Sequence, residues 1–545
     1  KTIKKLILNQ FYMNILSFHM GHDGSVTIIE NDQIVIHHQL ERFNGLKNQF
    51  YPSIEVFDKI KKLKINFDKV IVTAMGGIQI PLINFLRKYL NINPSKVVAV
   101  HNNEHHIFHA KCARHFFNYP KDVVYFIADG DGALKSLQND NNQFINGAQG
   151  TECESVYDED LKPIFKYYNT NRQINVLNEK FLISRNISLG KAYQKLVYEL
   201  GLDLNEEGKA MALSSYGNFN NDIANKLVFN NNWNLNWMSN VEESYEPLNY
   251  LNRFMLNPSV NHTARDSKTL DFVKTFQIVF QLLFLHKIKK IDKKFNTLVL
   301  SGGCTQNVLN NSFIKEETKK NILADPFNGD FGISLGAALH HTNVKVKPLK
   351  HICSGFDPEI SLDKFKSKNI TPQEVAEILV KEPVAIFSGK SEQGQRGLGF
   401  RSLLGNPLDN SIVDKINKIK KREWYRPFAC TVLEENASEL FEIKPNQTSP
   451  YMMFVYKSKD KRLKHVTSID NYSRIQTLNR HFHSKYYDLI SAFNRLTELP
   501  VVLNTSLNLP GRVLCEDTND LFFLMKNSAL KYCYLSDKDK LLWLT

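Results

Sequence analysis

The chain of 545 residues and 62.9 kDa is too long for one hydrophobic core, so two to four domains are expected. Its 42% hydrophobic and 23% charged residues exclude a disordered chain, and no apolar run approaches the ~20 residues needed to span a bilayer. Seven scattered cysteines without a CxxC pair speak against a disulfide framework or a zinc knuckle and fit a reducing cytoplasm; the net charge of +13 suits nucleic acid, small anionic substrates or a lysine-rich surface.

The basic opening "KTIKKLILNQFY" lacks a long apolar core and a small-residue cleavage site, so no targeting signal is expected, and Met13 is a candidate start. "NILSF", "GHDGSVTII" and "NDQIVIHH" read as a strand meander, with Gly21 and Gly24 flanking a tight turn that carries His22 and Asp23. Strands "KVIVTA", "KVVAV" and "VVYFIADGDGA" follow, separated by helical segments. Residues 186–217 read as helical around small residues, and 218–262 as Asn-rich and irregular. The amphipathic helix "SKTLDFVKTFQIVFQLLFLHKIKKI" then leads into a buried-strand signal, "TLVLSGGCTQN". Periodicity lapses at 341–372. The expected organisation is therefore an α/β front domain over 1–345, a junction over 346–372 and a second α/β domain over 373–545.

His105 and His109 stand four apart on one helical face and can grip one cation, whereas His106 lies on another face. Asp330, heading the small-residue helix in "ADPFNGDFGISLGAAL", is the best third ligand; a helix N-cap explains it equally well locally. Two imidazoles and a carboxylate suit Fe(II), Zn(II) or Mn(II) as a Lewis acid. Three glycine-bearing turns, "GHDGS", "ADGDGA" and "SGGCTQN", each follow a strand and can bring backbone N–H groups close to phosphate. In this order they have the layout of actin-like ATPase folds, with Asp129 and Asp131 near phosphates or metal, or simply forming turns. In the rear half the candidates are Arg396, Arg401, Lys420, Arg422, Arg426, Arg474, Asn504 and Ser506. Arginines beside glycines or before a proline sit on turns, several can converge on a small doubly charged anion, and Asn504 and Ser506 add neutral donors. For any single arginine, pairing with Glu392, Glu423 or Asp470 is the simpler reading; for five on four turns it is not.

Taken together, "GHDGSV", "EHHIFHA", "SLGKAY", "EGKAMALSSYG", "LSGGCTQN", "NGDFGISLGAAL", "GQRGLGFRS", "IKKREWYRPFA" and "LNTSLN" resemble the NodU/CmcH carbamoyltransferases, in order, from about 14 to 535. The resemblance implies an N-terminal actin-like ATPase (ASKHA, TsaD-like) domain and a C-terminal YrdC-like α/β domain. It implies formation of carbamoyl adenylate from carbamoyl phosphate and ATP, then carbamoyl transfer to a hydroxyl of a small molecule, sugar or nucleotide. A divalent metal is implied, iron first, with zinc or manganese as alternatives and Mg²⁺ beside the nucleotide. His105, His109 and Asp330 resemble the metal ligands. Asp129, Gly130, Gly132, Lys209, Gly302, Gly303 and Asn307 resemble the nucleotide-binding positions. Arg396, Lys420, Arg426, Arg474, Asn504 and Ser506 look like the carbamoyl phosphate site, and His22 stands where the family places a residue close to the transfer step. Ala133, Lys390 and Gln395 depart from the family pattern of an acid, an arginine and a proline. Two rival readings are a non-catalytic nucleotide-binding regulator and carbamoylation of a nucleic acid. A cytoplasmic, membrane-free protein is expected.

Overall fold

The computed structural model describes residues 13–74, 79–100, 104–130, 132, 134–138, 144–170, 181–184, 188–203, 206–228, 266–342, 345–349 and 351–544. Packing divides the chain into two compact units, Lys1–His19 with Phe67–Pro348, and Met20–Asn66 with Leu349–Thr545. The sequence pattern puts 1–345 in one domain and 346–372 in a junction; in the structure, 20–66 groups with the rear half, which begins at 349. Backbone pairing explains this grouping. In the hairpin Ser25–Glu30 and Gln33–Gln39, His37 N donates to Ser354 O at 2.8 Å and Gln39 N donates to Gln393 Oε1 at 3.0 Å.

In the first unit, β1 (Ile15–Met20) lies beside β2 (Lys69–Ala74), which pairs in parallel with β3 (Val97–Val100). The larger sheet contains β4 (Val123–Ala128), β5 (Leu134–Gln138), β6 (Phe144–Tyr157), β7 (Pro163–Thr170), β8 (Phe181–Ser184), β9 (Thr297–Ser301) and β10 (Asn321–Ala324). Its order is β8–β7–β6–β4–β9–β10, with β5 on β6. β4, β9 and β10 are parallel, with Ile127 opposite Ser301 and Leu300 opposite Ala324. The segments that follow these strands therefore leave one edge of the sheet at one level, where open α/β sheets bind ligands.

Besides the helices Gln79–Leu90 and Asn221–Val228, this unit has α1 (His105–Phe116), α2 (Leu189–Glu199), α3 (Glu207–Leu213), α4 (Ser267–Lys289), α5 (Val308–Thr318) and α6 (Ile333–His340). α1 and α6 run antiparallel and very close: a Cβ on Gly336 would lie 2.0 Å from Phe108 O, and one on Gly332 would lie 3.4 Å from Cys112 Sγ. That approach brings Asp330, just before α6, to the histidine face of α1. Gly336→Ala forces the helices apart and should cost about 1–3 kcal/mol. A thermal melt at or above the wild-type midpoint would contradict this packing.

The second unit is built on β11 (Lys366–Asn369), β12 (Val384–Phe387), β13 (Arg401–Gly405), β14 (Ala429–Leu433), β15 (Val455–Lys457), β16 (Tyr472–Leu478), β17 (Val501–Ser506), β18 (Tyr532–Leu535) and β19 (Lys540–Trp543). They form a mixed sheet in the order β11–β19–β18–β12–β13–β17–β14–β16–β15. Asn504 pairs with Leu404 on one side and Ala429 on the other, at the sheet's centre. α7 (Pro372–Leu379), capped by a Thr371–Glu374 box, and α9 (Ser484–Thr497) cover one face, burying Val375, Leu379, Leu489 and Phe493 against Ile386 and Val502. α8 (Ile412–Lys420) and α10 (Thr518–Lys526) complete the unit. Both units are mixed α/β. No helix among the described residues is long and apolar enough to cross a membrane.

Candidate functional site

Among the described residues, each unit gathers candidate functional groups. In the first, His105, His109, Asp129 and Asp330 offer ligand atoms that all lie within 4.8 Å of one another. His105 Nε2 is 3.3 Å from His109 Nε2, 3.2 Å from Asp129 Oδ2 and 3.4 Å from Asp330 Oδ1. His109 Nε2 is 3.3 Å from Asp129 Oδ2 and 3.7 Å from Asp330 Oδ1. Four donors bonded at ~2.1 Å to one tetrahedral cation stand ~3.4 Å apart. The observed edges match that polyhedron, so the donor set fits a first-row divalent ion. Asp129 arrives because β4 ends one residue before it; of the two sequence readings, phosphates or metal, its carboxylate sits with the imidazoles. Asp131 and Ala133 lie outside the described residues.

Burial disfavours charge on these groups, but their mutual ion pairs win. Against desolvation, the charge of Asp330 and hydrogen bonds to Asp129 and Asp330 push the His105 imidazolium up to about 10. His109 is raised too, against burial, by hydrogen bonds to Asp129 and Asp330. Burial tends to raise Asp129, yet the hydrogen bonds of His105 and His109 hold it below the usual carboxylate range. Two imidazoles cannot both aim a proton across a 3.3 Å gap. One resolution is a cation in place of the proton.

Sequence inspection missed His19, which β1 carries into the same neighbourhood. Its Nε2 is 3.7 Å from Asp330 Oδ2, and its Nδ1 is 2.9 Å from Thr73 Oγ1. It reads in sequence as an ordinary strand residue, with no signal to separate it. His106, as expected, serves elsewhere: its Nδ1 meets Ser155 Oγ at 2.8 Å.

Two of the glycine turns flank this cluster. Gly302, at φ +89°, could carry no side chain, because a Cβ there would lie 2.3 Å from Ala128 O. Ser188 Oγ donates to Gly130 O at 2.5 Å, and Gly132 N donates to Glu152 O at 2.7 Å, which fixes the Asp129 turn. Asn307 caps α5 by accepting from Asn310 N at 3.0 Å, and its amide pairs with that of Gln277. Its side chain is committed to the fold, so the Gly302–Gly303 backbone is what this turn can offer a phosphate. Lys209, on α3, pairs with Glu206. His22 belongs to the second unit, is 43% exposed, and has Nδ1 3.6 Å from Asp23 Oδ2.

In the second unit, Arg396, Arg422, Arg426 and Arg474 converge. Burial, then the charge of Arg426, lowers Arg396 to about 10; burial, with Arg426 and Arg396 opposed only by Glu423, lowers Arg422 to about 9. Arg474 is lowered well below its ordinary value by burial and then by the charges of Arg396, Arg422 and Arg426. Glu423, 3.0 Å from Arg426 Nη1, is the carboxylate paired with this group. Nε of Arg422 and Nε of Arg474 are buried without a hydrogen-bond partner. Clustered cations with orphaned donors have the chemistry to hold a small anion.

The neighbouring residues divide differently from the sequence expectation. Lys420 Nζ meets Ser506 O at 2.7 Å, Asn508 O at 2.8 Å and Asn508 Oδ1 at 2.5 Å, so its three donors hold the Ser506–Asn508 turn. Arg401, grouped in sequence with the anion-binding arginines, instead donates to five carbonyls, those of Ser388, Gly389, Phe400, Cys515 and Glu516. It is a structural clasp with no donor left for a ligand. Asn504 Nδ2 donates to Thr431 Oγ1 at 2.9 Å, Gly397 O at 3.2 Å and Gln476 Oε1 at 3.3 Å, whereas its Oδ1 is buried without a partner. The atom it can offer a ligand is thus an acceptor, where the sequence suggested a donor. Lys390 Nζ, 3.6 Å from Asp357 Oδ1, keeps only a loose ion pair.

Comparison with known proteins follows the same two-part division. Residues 77–339 match the family described as carbamoyltransferase N-terminus, and residues 375–539 match carbamoyltransferase C-terminus. An uncharacterized protein of Methanocaldococcus jannaschii is 27% identical, over 95% of this chain and 96% of its own. Nodulation protein NolNO of Sinorhizobium fredii is 26% identical, over 89% of this chain and 74% of its own. Among solved structures, the activator of the 2-hydroxyisocaproyl-CoA dehydratase from Clostridium difficile aligns with 60% of this chain and 94% of its own, at 13% identity and a TM-score of 0.33, a partial likeness.

Proposed function

The chain belongs to the carbamoyltransferase family, and from that premise we propose that it uses carbamoyl phosphate and ATP to carbamoylate a hydroxyl group. The observation that carries this reading is the pairing, in one unit, of orphaned guanidinium donors with an orphaned amide acceptor. Carbamoyl phosphate is an anion that ends in an NH₂ group. Arg422, Arg426 and Arg474, with Arg396 beside them, bind its phosphate, and Asn504 Oδ1 accepts from its NH₂. Lys420 and Ser506, whose hydroxyl donates to Asn508 Oδ1 at 2.7 Å, hold the turn beside that anion in place.

Loss of phosphate from carbamoyl phosphate, by hydrolysis, leaves carbamate. A carbamate oxygen then attacks the α-phosphorus of ATP, forming the O–P bond of carbamoyl adenylate and expelling pyrophosphate. The turns Asp129–Gly132 and Gly302–Gly303 supply backbone N–H groups for the nucleotide phosphates, and Lys209 is the nearby cation proposed for them. In the second step an acceptor hydroxyl attacks the carbamoyl carbon, its proton passes to a base, and AMP leaves. His22 is proposed as that base.

His105, His109, Asp129 and Asp330 would hold a divalent ion, iron by family resemblance and zinc or manganese by donor chemistry. When bound, such an ion supplies Lewis acidity toward a carbonyl oxygen. The chain's own contribution is to hold the four donors on rigid strand ends and a tightly packed helix pair.

The test is pyrophosphate release from ATP by the purified chain. Release that requires carbamoyl phosphate is expected. Release at an equal rate without it, or no release with both present, would defeat the proposal.

A further inference from the structure

Apart from the buried four-group cluster, Glu104, His340 and His341 bring a second set of metal-binding atoms together, again within 4.8 Å of one another. The antiparallel α1–α6 pair builds it, with Glu104 just before α1, His340 closing α6 and His341 directly after it. His340 Nε2 lies 3.4 Å from Glu104 Oε1, the spacing of two donors on one tetrahedral cation (~3.4 Å). The two imidazoles meet edge to face, with centroids 5.0 Å apart, and Phe108 packs on both at 5.5 and 6.3 Å. The rings are therefore held in place rather than free to swing. A second observation points to a ligand: His341 Nε2 is buried without a hydrogen-bond partner. A buried polar atom left unmade costs about 1–3 kcal/mol, which a bound cation offsets.

The charged surroundings set the strength of such a site. Burial lowers His340, with Lys111 lowering and Glu104 raising it. Burial and then the charge of His340 lower His341, with Lys69 and Lys111 adding to this and Glu104 opposing. Both rings are thus neutral near pH 7, the form that ligates metal. Lys69 Nζ is anchored on His341 O at 2.8 Å, so a positive charge stays close.

We infer that Glu104, His340 and His341 form a second, exchangeable site for a borderline divalent cation of the zinc, nickel or copper(II) class. One carboxylate in place of two, two nearby lysines and partial exposure make it weaker than the buried cluster. Its remaining coordination positions are open to water or to a donor from another molecule. The inference does not depend on the carbamoyl transfer reading.

Titration of the full, chelator-stripped chain with zinc alone tests it. Wild type should bind two equivalents with separable affinities. Glu104→Gln, and separately the pair His340→Ala with His341→Ala, should lose only the weaker equivalent. The pair His105→Ala with His109→Ala should lose only the tighter one. A single equivalent in wild type, or two undiminished equivalents in both Glu104→Gln and the His340/His341 variant, would overturn the second site. Glu104→Gln keeps the test sound if the double variant misfolds, because it changes one half-buried atom. Unchanged uptake in the His105/His109 variant would instead count against the buried cluster and leave this inference standing.

Discussion

Arg474→Ala should reduce carbamoyl phosphate-dependent pyrophosphate release by two orders of magnitude or more, while the protein becomes no less stable. A guanidinium gripping phosphate through two charge-assisted bonds contributes roughly 3–5 kcal/mol, which corresponds to about 10²–10⁴-fold in the apparent affinity for carbamoyl phosphate. Removing it also relieves repulsion. Arg474 is half-buried among Arg396, Arg422 and Arg426, and its charge is disfavoured there. A structural arginine would behave in the opposite way. Arg401→Ala removes five hydrogen bonds to buried carbonyls, so it should lower the thermal midpoint severely. Arg474→Lys should fall between wild type and alanine, because it keeps the charge and loses the planar fork. Measurements of pyrophosphate release against carbamoyl phosphate concentration, paired with thermal melts, separate these cases. Full activity in Arg474→Ala would remove the anion cluster from the first chemical step.

Asp330→Asn should abolish the proposed tight metal site, as should His105→Ala, with elemental analysis finding about one ion fewer per chain than in wild type. Losing one of two carboxylates removes a formal negative charge from a buried site, and ligand losses of this kind are felt strongly in low-dielectric surroundings. The same geometry fixes the sign of the pH dependence. His105 is raised from 6.5 to about 10, so in the metal-free chain its protonated form is stabilising below about 6.5, and that contribution is lost as pH rises through about 10. A cation must displace that proton, so metal binding at pH 7–8 should release protons, and affinity should weaken as pH falls. Calorimetry in two buffers of different ionisation enthalpy reads the proton count. Binding without proton release would contradict the protonated resting cluster.

Much of this arrangement is visible in sequence because local pattern announces it. Apolar runs that end in glycine, such as "TLVLSGG", mark strand ends, and His105 with His109 share a helical face whatever surrounds them. Arg396 and Arg426 stand out because they sit beside a glycine and before a proline. What local pattern hides is pairing at long range. Asp330 joins the histidines only because α6 packs closely on α1, with Gly336 against Phe108 and Gly332 against Cys112. Residues 20–66 group with the rear half through hydrogen bonds such as Gln39 to Gln393, whose partners lie 354 positions apart. Lys420 and Asn504 carry the expected residue types, yet which of their atoms are already committed depends on Asn508, Thr431 and Gln476. Residue type shows that a donor or acceptor exists, and only the packed neighbours show whether it is free.

The most direct measurement incubates the purified chain with carbon-labelled carbamoyl phosphate and ATP labelled at the α-phosphorus, without acceptor, and separates the products. One species carrying both labels, formed with stoichiometric unlabelled pyrophosphate, is the predicted result. Carbon label and adenylate label that never travel together would contradict an activated carbamoyl intermediate and the division of labour between the two units.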